Sequence, residues 1–546
     1  MQKLKSSLYS LNTHRVWSSL FSFFLFLGVG FYIINNGYLH EDAYILFTYA
    51  ENLASGEGIT YNTGGVRAEG ATDFLWMLLI SILNILGIDS GLSSILLNSV
   101  GAFLLTYLLL GQVSKDNDSL FTYFFYLSVP FIVIISPLSS ASFSGFSTLF
   151  YSSFFLLQFY ILIEKGDKYT YFVPWVGVTL GLIRPDGVIL GAGLSLVGFI
   201  TVRSKRSYLV HCFGAAVVGS LYFTFRYLYF GLPFPLPFYV KSTRFMEFES
   251  LRYNLGWLIR SLFLFMFYLF YITYNKKKPY AYVLSGIVMI IFLIFLSNIE
   301  QSQNISFRFQ APVLVVAIYS FVSFLYLTFE REKIFFKTVA STSAVALYFL
   351  WSVSGVSGSV IENIQSSVNE KRHYVNIVAR CLDESVNGQP RMALTEAGRM
   401  HYWTRWNTLD MVGLNSPNIA VNGVHLEDLK EQNPDLLFIH TAGTFDEPNV
   451  SSGDVPIISV RSESLPSFSV DEIDRSRTYI RRAPMAAYKY LRESGNKYEI
   501  LMVNNSGSYN HLYAVKKGGM VDGALTKCLR EAKVNGAFFP HNSRSR

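Results

Sequence analysis

Long apolar runs separated by short polar turns fill the first two-thirds of the chain, and shorter mixed runs follow from about residue 357. The apolar windows fall at 16–37, 92–112, 119–137, 146–163, 170–183, 186–201, 208–230, 254–274, 280–298, 310–328 and 335–355. Most approach the roughly 20 residues that a helix needs to cross the hydrocarbon core. Strand-like alternation is absent from them, so helices are expected, the form that satisfies its own backbone in lipid. Phe74–Leu86 is shorter and starts beside Glu69 and Asp73, which predicts an interfacial helix on the outer side rather than a further span. The pattern thus predicts about 11 transmembrane helices over residues 1–356, with a first outer loop at 38–90. Residues 357–546 form a polar segment long enough for its own core. Strand-like runs at Pro434–Thr441 and Tyr498–Val503 lie there between helical stretches. The expected fold is an α-helical polytopic membrane protein with a C-terminal extracytoplasmic α/β domain.

Composition and charge sharpen this picture. The 546 residues are 51% hydrophobic, 16% aromatic and 15% charged, where a soluble domain carries about a quarter charged residues. The net charge of +7 would raise nucleic-acid binding in a soluble protein. Here the basic residues cluster between apolar spans, as membrane orientation requires, and no nucleic-acid partner is predicted. With an uncleaved first span, a cytoplasmic N-terminus (Lys3, Lys5, Arg15) shares its side with Arg203, Lys205, Arg206, Lys276, Lys277, Lys278, Arg331, Lys333 and Lys337. An odd number of spans then puts the C-terminal domain outside the cytoplasm. Cys212, Cys381 and Cys528 lack metal-ligand spacing, but Cys381 and Cys528 can pair if their domain lies in an oxidising compartment.

Chemistry is expected where the first helix leaves the bilayer, at HEDAYILFTYAENLASGEGITYNTGGVRAEGATDFLW. Asp42 stands at the membrane surface. Partial desolvation would raise its basicity while nearby cations keep it ionised, which suits a base that takes a proton from a hydroxyl. Asp42 can equally cap the helix that starts at Ala43. In the predicted topology Asp42, Arg67, Glu69, Arg184, Asp186, Lys241 and Arg308 share the outer side, and ionisable groups at membrane depth usually face a functional cavity. Arg67, Arg184, Lys241 and Arg308 suit phosphate. The plainer readings are that Arg184 and Asp186 pair to hold a turn and that Lys241 reaches for the interface. Pro233, Pro235 and Pro237 predict an extended loop in which a helix is disfavoured. His401, Trp403, Arg405 and Trp406 suit either a packed core or a polyanionic glycan.

This loop resembles the signature of the GT-C superfamily, polytopic glycosyltransferases that take sugars from polyprenyl phosphates. It is most similar to the branch that contains the mycobacterial terminal arabinofuranosyltransferases. The matching residues are Asp42-Ala43-Tyr44, Ala54-Ser55-Gly56-Glu57-Gly58 and Val66 through Trp76. Ser144-Gly145-Phe146-Ser147-Thr148 resembles an outer-loop motif that usually carries Glu where Ser147 stands. Arg184-Pro185-Asp186-Gly187, the stretch Arg226–Lys241, Arg308-Phe309 with Pro312, Ala397-Gly398 and Asp410–Leu414 resemble further family segments.

The resemblance implies a single sugar moved from a polyprenyl-phosphate donor to a glycan or glycolipid hydroxyl at the outer face of a bacterial inner membrane. Asp42 is the implied catalytic base. Tyr44, Arg67, Glu69, Asp73, Arg184, Asp186, Tyr239, Lys241 and Arg308 are the implied substrate-binding residues. Tyr44, Tyr61 and Trp76 either stack on sugars or belong to an interfacial aromatic belt. No cofactor is expected, and no metal, because a cationic phosphate site makes one unnecessary. A polysaccharide polymerase or ligase using a prenyl-diphosphate-linked glycan is the alternative. A secondary transporter fits less well, since the charges gather at one surface rather than at the midplane.

Overall fold

A computed structural model describes residues 13–35, 39–113, 120–241, 251–252, 254–257, 259, 279–298, 304–331, 374–440, 457–476, 479–504 and 510–534. The N-terminal unit is helical: α1 (Thr13–Asn35), α2 (Glu41–Ala54), α3 (Phe74–Ile85), α4 (Ser90–Leu109), α5 (Leu120–Ile135), α6 (Pro137–Phe143), α7 (Thr148–Glu164), α8 (Val173–Ile183), α9 (Gly187–Thr201), α10 (Lys205–Phe230), α11 (Leu236–Lys241), α12 (Pro279–Leu296) and α13 (Ala311–Arg331). The nine predicted apolar segments that fall on these residues are helices. The segment 335–355 and most of 254–274 lie outside the described residues, as do Lys3, Lys5, Lys276, Lys277, Lys278, Lys333 and Lys337. Among the described residues α1, α4 and α10 are long and apolar enough to cross a membrane by length and composition. The pair α5–α6, bent by 54° just before Pro137, makes a fourth if taken as one span. Phe74–Ile85 is the short helix expected there.

Local sequence sets the helix ends and contacts. Asp89 caps α4 by accepting from the Leu92 amide at 2.8 Å, and α10 stops at Gly231, whose φ of 75° closes the helix in the left-handed conformation. Gly177 of α8 and Gly191 of α9 let two backbones touch, since a methyl on Gly191 would meet the Gly177 carbonyl oxygen at 2.5 Å. Gln158 of α7 ties that contact by donating to the carbonyls of Val173 and Gly191 at 2.9 and 3.1 Å. The outward face of α10 is apolar and exposed at Leu209, Val210, Phe213, Leu221 and Leu228, a surface suited to lipid.

The C-terminal unit adds α14 (Tyr374–Ser385), α15 (Arg399–Thr404), α16 (Tyr479–Ser494) and α17 (Ala524–Val534) to six strands. These are β1 (Arg391–Leu394), β2 (Asn407–Asp410), β3 (Leu436–His440), β4 (Ile457–Val460), β5 (Tyr498–Asn504) and β6 (Asn510–Lys516), in the order β2-β1-β3-β6-β5-β4. β2, β1 and β3 run parallel; β6, β5 and β4 continue antiparallel. Alternation sorts the faces. Leu436 and Phe438 pack with α14, α17 and the helical unit, whereas Leu437 and Ile439 pack with Ala486, Ala487 and Leu491 of α16. A disulfide joins Cys381 of α14 to Cys528 of α17. The runs expected as strands at 434–441 and 498–503 are β3 and β5.

Candidate functional site

The loop between α2 and α3 is the joint between the two units. Asn62 pairs with the edge of β2 as a strand would, donating to the Thr408 carbonyl and accepting its amide, both at 2.9 Å. Tyr61 donates to the Ala397 carbonyl at 2.6 Å and stacks on His401 at 3.9 Å. Glu51 accepts from Ser90 and Tyr402 and pairs with Arg405. Glu41 accepts from the amides of Gly398 and Arg399 at 2.7 and 2.9 Å and pairs with the Arg399 guanidinium at 3.1 Å. A side chain at Gly398 would run into the Glu41 carbonyl. His401 bonds Thr408 and the Tyr61 carbonyl, and Trp406 is buried, so this cluster is packed core.

Asp42, one residue on, faces away from this joint. Its helix is capped by His40, whose Nδ1 accepts the Asp42 amide at 3.1 Å, so the capping role considered for Asp42 belongs to His40. Burial pushes the His40 ring down to about 4, which keeps it neutral and able to accept. The His40 amide bonds the Ser144 carbonyl at 3.0 Å, and Gly145, with φ of 97°, lets the Ser144–Ser147 turn press against Ala43. That turn carries Phe146, over whose ring the Arg308 guanidinium lies at 3.9 Å. Arg308 Nη2 contacts Asp42 Oδ2 at 3.3 Å.

Two residues just before Arg308, Ser306 and Phe307, hold φ of 48° and 59°, a conformation that costs about 1–2 kcal/mol for a side-chain-bearing residue. Such strain marks segments whose placement matters. Arg308 Nε is buried and has no hydrogen-bond partner among the described residues. Burial pushes the Asp42 carboxyl up, but the charges of Lys241 and Arg308 and the Arg308 hydrogen bond outweigh it and hold the group at about 2. The expectation of raised basicity is therefore corrected for this state: the cations win over desolvation.

Beside this pair lies a cavity of about 1480 Å³ between α8, α9 and α10. Its walls are apolar, and its polar end carries Glu69, Asp73, Arg184, Asp186, Lys241 and Arg308. These groups do not all face it equally. Arg184 makes a two-point pair with Asp186, 3.0 Å at each contact, and its Nη1 donates to the Arg308 carbonyl at 3.4 Å, so it supports the strained segment. Asp73 accepts from Ser147 at 2.6 Å; where the related motif has Glu, a carboxylate is thus supplied from the neighbouring loop. Glu69 pairs with Arg226 at 2.5 Å, and its carbonyl accepts the Leu236 amide at 3.0 Å. Burial pushes the Glu69 carboxyl up to about 7 against the pull of Arg226.

Several implied positions lie elsewhere. Arg67 is exposed and stacks on Tyr229, 4.5 Å from the ring centre. Tyr44 is buried between α2 and α15 against Tyr402, and Trp76 is buried against Phe150, so neither lines the cavity. Tyr239 packs its edge on Phe238, behind the lining. The loop expected to stay extended contains α11: Pro237 sits at the second helical position, where its missing amide costs nothing. Arg226 and Arg399 were missed as site-shaping cations, the first because it lies inside an apolar helix, the second because its partner Glu41 is remote in sequence.

A family described as a domain of unknown function, DUF8728, matches residues 362–501. No curated protein matches the chain. Among solved structures, ArnT from Cupriavidus metallidurans in the apo state is similar at 12% identity and a TM-score of 0.49, over 77% of this chain and 92% of that one. The archaeal oligosaccharyltransferase AglB from Archaeoglobus fulgidus, in complex with an inhibitory peptide and a dolichol-phosphate, is similar at 12% identity and a TM-score of 0.40, over 77% and 69%. At these scores neither likeness speaks to activity.

Proposed function

We propose that the chain is a multi-pass membrane glycosyltransferase that moves one sugar from a polyprenyl-phosphate donor to a hydroxyl of a glycan or glycolipid on the non-cytoplasmic side. The observation that carries this reading is the 3.3 Å pairing of Asp42, just behind the lining, with Arg308, which itself lines the polar end of a large apolar cavity. The apolar walls suit a prenyl chain, and Arg308 and Lys241 suit its phosphate. Asp42 takes the proton of the acceptor hydroxyl as that oxygen bonds the anomeric carbon. The bond from that carbon to the phosphate oxygen breaks, and the polyprenyl phosphate leaves with the electron pair, its growing charge met by Arg308 and Lys241. A bound phosphate also shares those cations with Asp42, which frees the carboxylate to accept a proton. Arg184 and Asp186 hold the Arg308 segment, and Glu69 and Asp73 flank the acceptor side.

The sidedness has two supports. Arg15, Arg203, Lys205 and Arg206 lie at the helix ends opposite Asp42, as expected of a cytoplasmic face. The Cys381–Cys528 disulfide suits an oxidising compartment for the C-terminal domain, residues 357–546. Arabinofuranose is the sugar implied by the sequence resemblance. The test is transfer in membrane vesicles supplied with short-chain prenyl-phosphate pentoses and hexoses, beside a prenyl-diphosphate oligosaccharide. Transfer from a monophosphate donor, lost in Asp42→Asn, supports the reading; transfer from the diphosphate donor alone replaces it with a polymerase or ligase.

A further inference from the structure

A second cluster lies across the joint from Asp42. The residue after Thr395 at the carboxyl end of β1 is Glu396, the last residue of β3 is His440, and the second residue of β6 is His511. His440 and His511 are direct register partners on antiparallel neighbours, so their side chains rise from the same face. Glu396 lies beside both: Oε1 is 3.6 Å from His440 Nδ1, and Oε2 is 3.2 Å from His511 Nε2. One donor atom from each residue falls within 4.8 Å of the others.

The place is one where α/β sheets bind ligands. The chain leaves β1 toward β2 on one side and leaves the neighbouring β3 toward β4 on the other, so the carboxyl ends of β1 and β3 flank a point where the connections diverge. The backbone is held here by the Thr395 amide on the Phe438 carbonyl at 3.0 Å and by the His440 amide on Thr395 Oγ1 at 2.8 Å. His511 is oriented from behind: its Nδ1 bonds the Tyr374 hydroxyl, which accepts from Tyr513 at 3.3 Å. That leaves Nε2 directed at Glu396.

We propose that Glu396, His440 and His511 bind a divalent transition-metal ion of the zinc class. Ligand bonds of about 2.0–2.1 Å in a tetrahedron separate donor atoms by about 3.4 Å, close to each of the two carboxylate–imidazole spacings, which use the two oxygens of Glu396, while one donor from each residue lies within 4.8 Å of the others. The 3.6 Å separation of Glu396 and His440 is too long for a hydrogen bond but is ordinary for two ligands of one ion. Two imidazoles and a carboxylate favour zinc, cobalt or nickel over calcium or magnesium. The Tyr374 contact is the outer partner that ligating histidines usually have. Glu396 and His440 are half-buried, so water can reach the cluster as a fourth ligand. The ion would fix the loop whose next residues, Gly398 and Arg399, hold Glu41. This inference does not rest on the transferase reading.

The test uses the full chain in detergent, purified without a polyhistidine tag, loaded with Zn²⁺ or Co²⁺ and desalted. Expected are about one ion per chain by elemental analysis, a cobalt absorption band typical of a four-coordinate nitrogen–oxygen site, and a chelator-reversible rise in Tm. His440→Asn, at the half-exposed strand end, and Glu396→Gln should each weaken binding by about 100-fold or more, while His425→Asn leaves it unchanged. Gel filtration identifies any variant that misfolds. The wild-type spectrum tests the proposal without a variant. Substoichiometric wild-type binding, or binding of equal strength and spectrum in the double variant, overturns it and leaves the cluster a carboxylate–imidazole pairing.

Discussion

Glu41 and Asp42 are consecutive carboxylates in the first turn of α2, and their surroundings are opposite. Glu41 turns to the C-terminal domain, where two amides and a guanidinium occupy both its oxygens. Asp42 turns to the helical unit and, among the described residues, meets Arg308 at 3.3 Å, with its side chain still 21% exposed and Arg308 Nε without a hydrogen-bond partner. A helix separates neighbouring side chains by about 100°, so one turn can serve two masters. The first carboxylate is saturated and holds architecture. The second is charged and restrained by a single guanidinium contact among the described residues, as the proposed role requires.

Substitutions can break this contrast. Asp42→Asn removes the proposed base and keeps the shape: transfer should fall by about 10²–10⁴-fold with the fold kept and a modestly lowered Tm, since the stability linked to the depressed carboxyl is lost, and activity near wild type in vesicles would sink the assignment. Glu41→Ala strands the Arg399 guanidinium in a mostly buried site and should cost about 3–5 kcal/mol of stability, read as lowered Tm and faster proteolysis of the C-terminal domain. If Glu41→Gln instead abolished transfer at full stability, the two carboxylates would not differ as argued. Arg308→Ala should lower kcat by about 10²–10³-fold through lost stabilisation of the leaving phosphate.

A smaller effect sharpens the contrast further. Because Asp42 is held at about 2 in the free protein, kcat/KM should show no acid limb from it between pH 8 and about pH 4. Once phosphate occupies the cations, the carboxyl rises, so kcat should fall on acidification in a range where kcat/KM does not. Equal limbs in both profiles would show that the donor leaves Asp42 unchanged. The linked stability has the depressed-carboxylate sign: it is present above the ordinary Asp value and lost as pH falls toward 2. The smallest effect belongs to Arg67→Ala, which should alter stability by less than about 0.5 kcal/mol and leave transfer unchanged, as expected for an exposed residue outside the cavity.

The helical segments were legible because apolar run length reports them directly, and the strands at 436–440 and 498–504 because short apolar runs stand out in the polar segment. The association of Asp42 with Arg308 was legible as a shared side. Their contact was not, since it depends on the Phe146 turn and on the left-handed Ser306 and Phe307. Arg184 shows the limit most clearly. As a residue type it suits phosphate or a pair with Asp186, two positions on, and only the fold chooses between them: Asp186 occupies it at two points. Pro237 reads as a helix breaker in the chain and is a helix starter in the fold.

What the amino-acid sequence determined by itself was local or additive: apolar length, short apolar runs in the polar segment, the sorting of basic residues to one end, and a run of residues around Asp42 that share a family likeness. What only the tertiary structure decided was which charge meets which. Glu41 finds Arg399, Glu69 finds Arg226, and Glu396 finds two histidines from different strands. The reason is physical: hydrophobic burial depends on local composition, whereas an ion pair or a ligand set depends on distances of a few ångströms between remote residues, set only when the chain is packed.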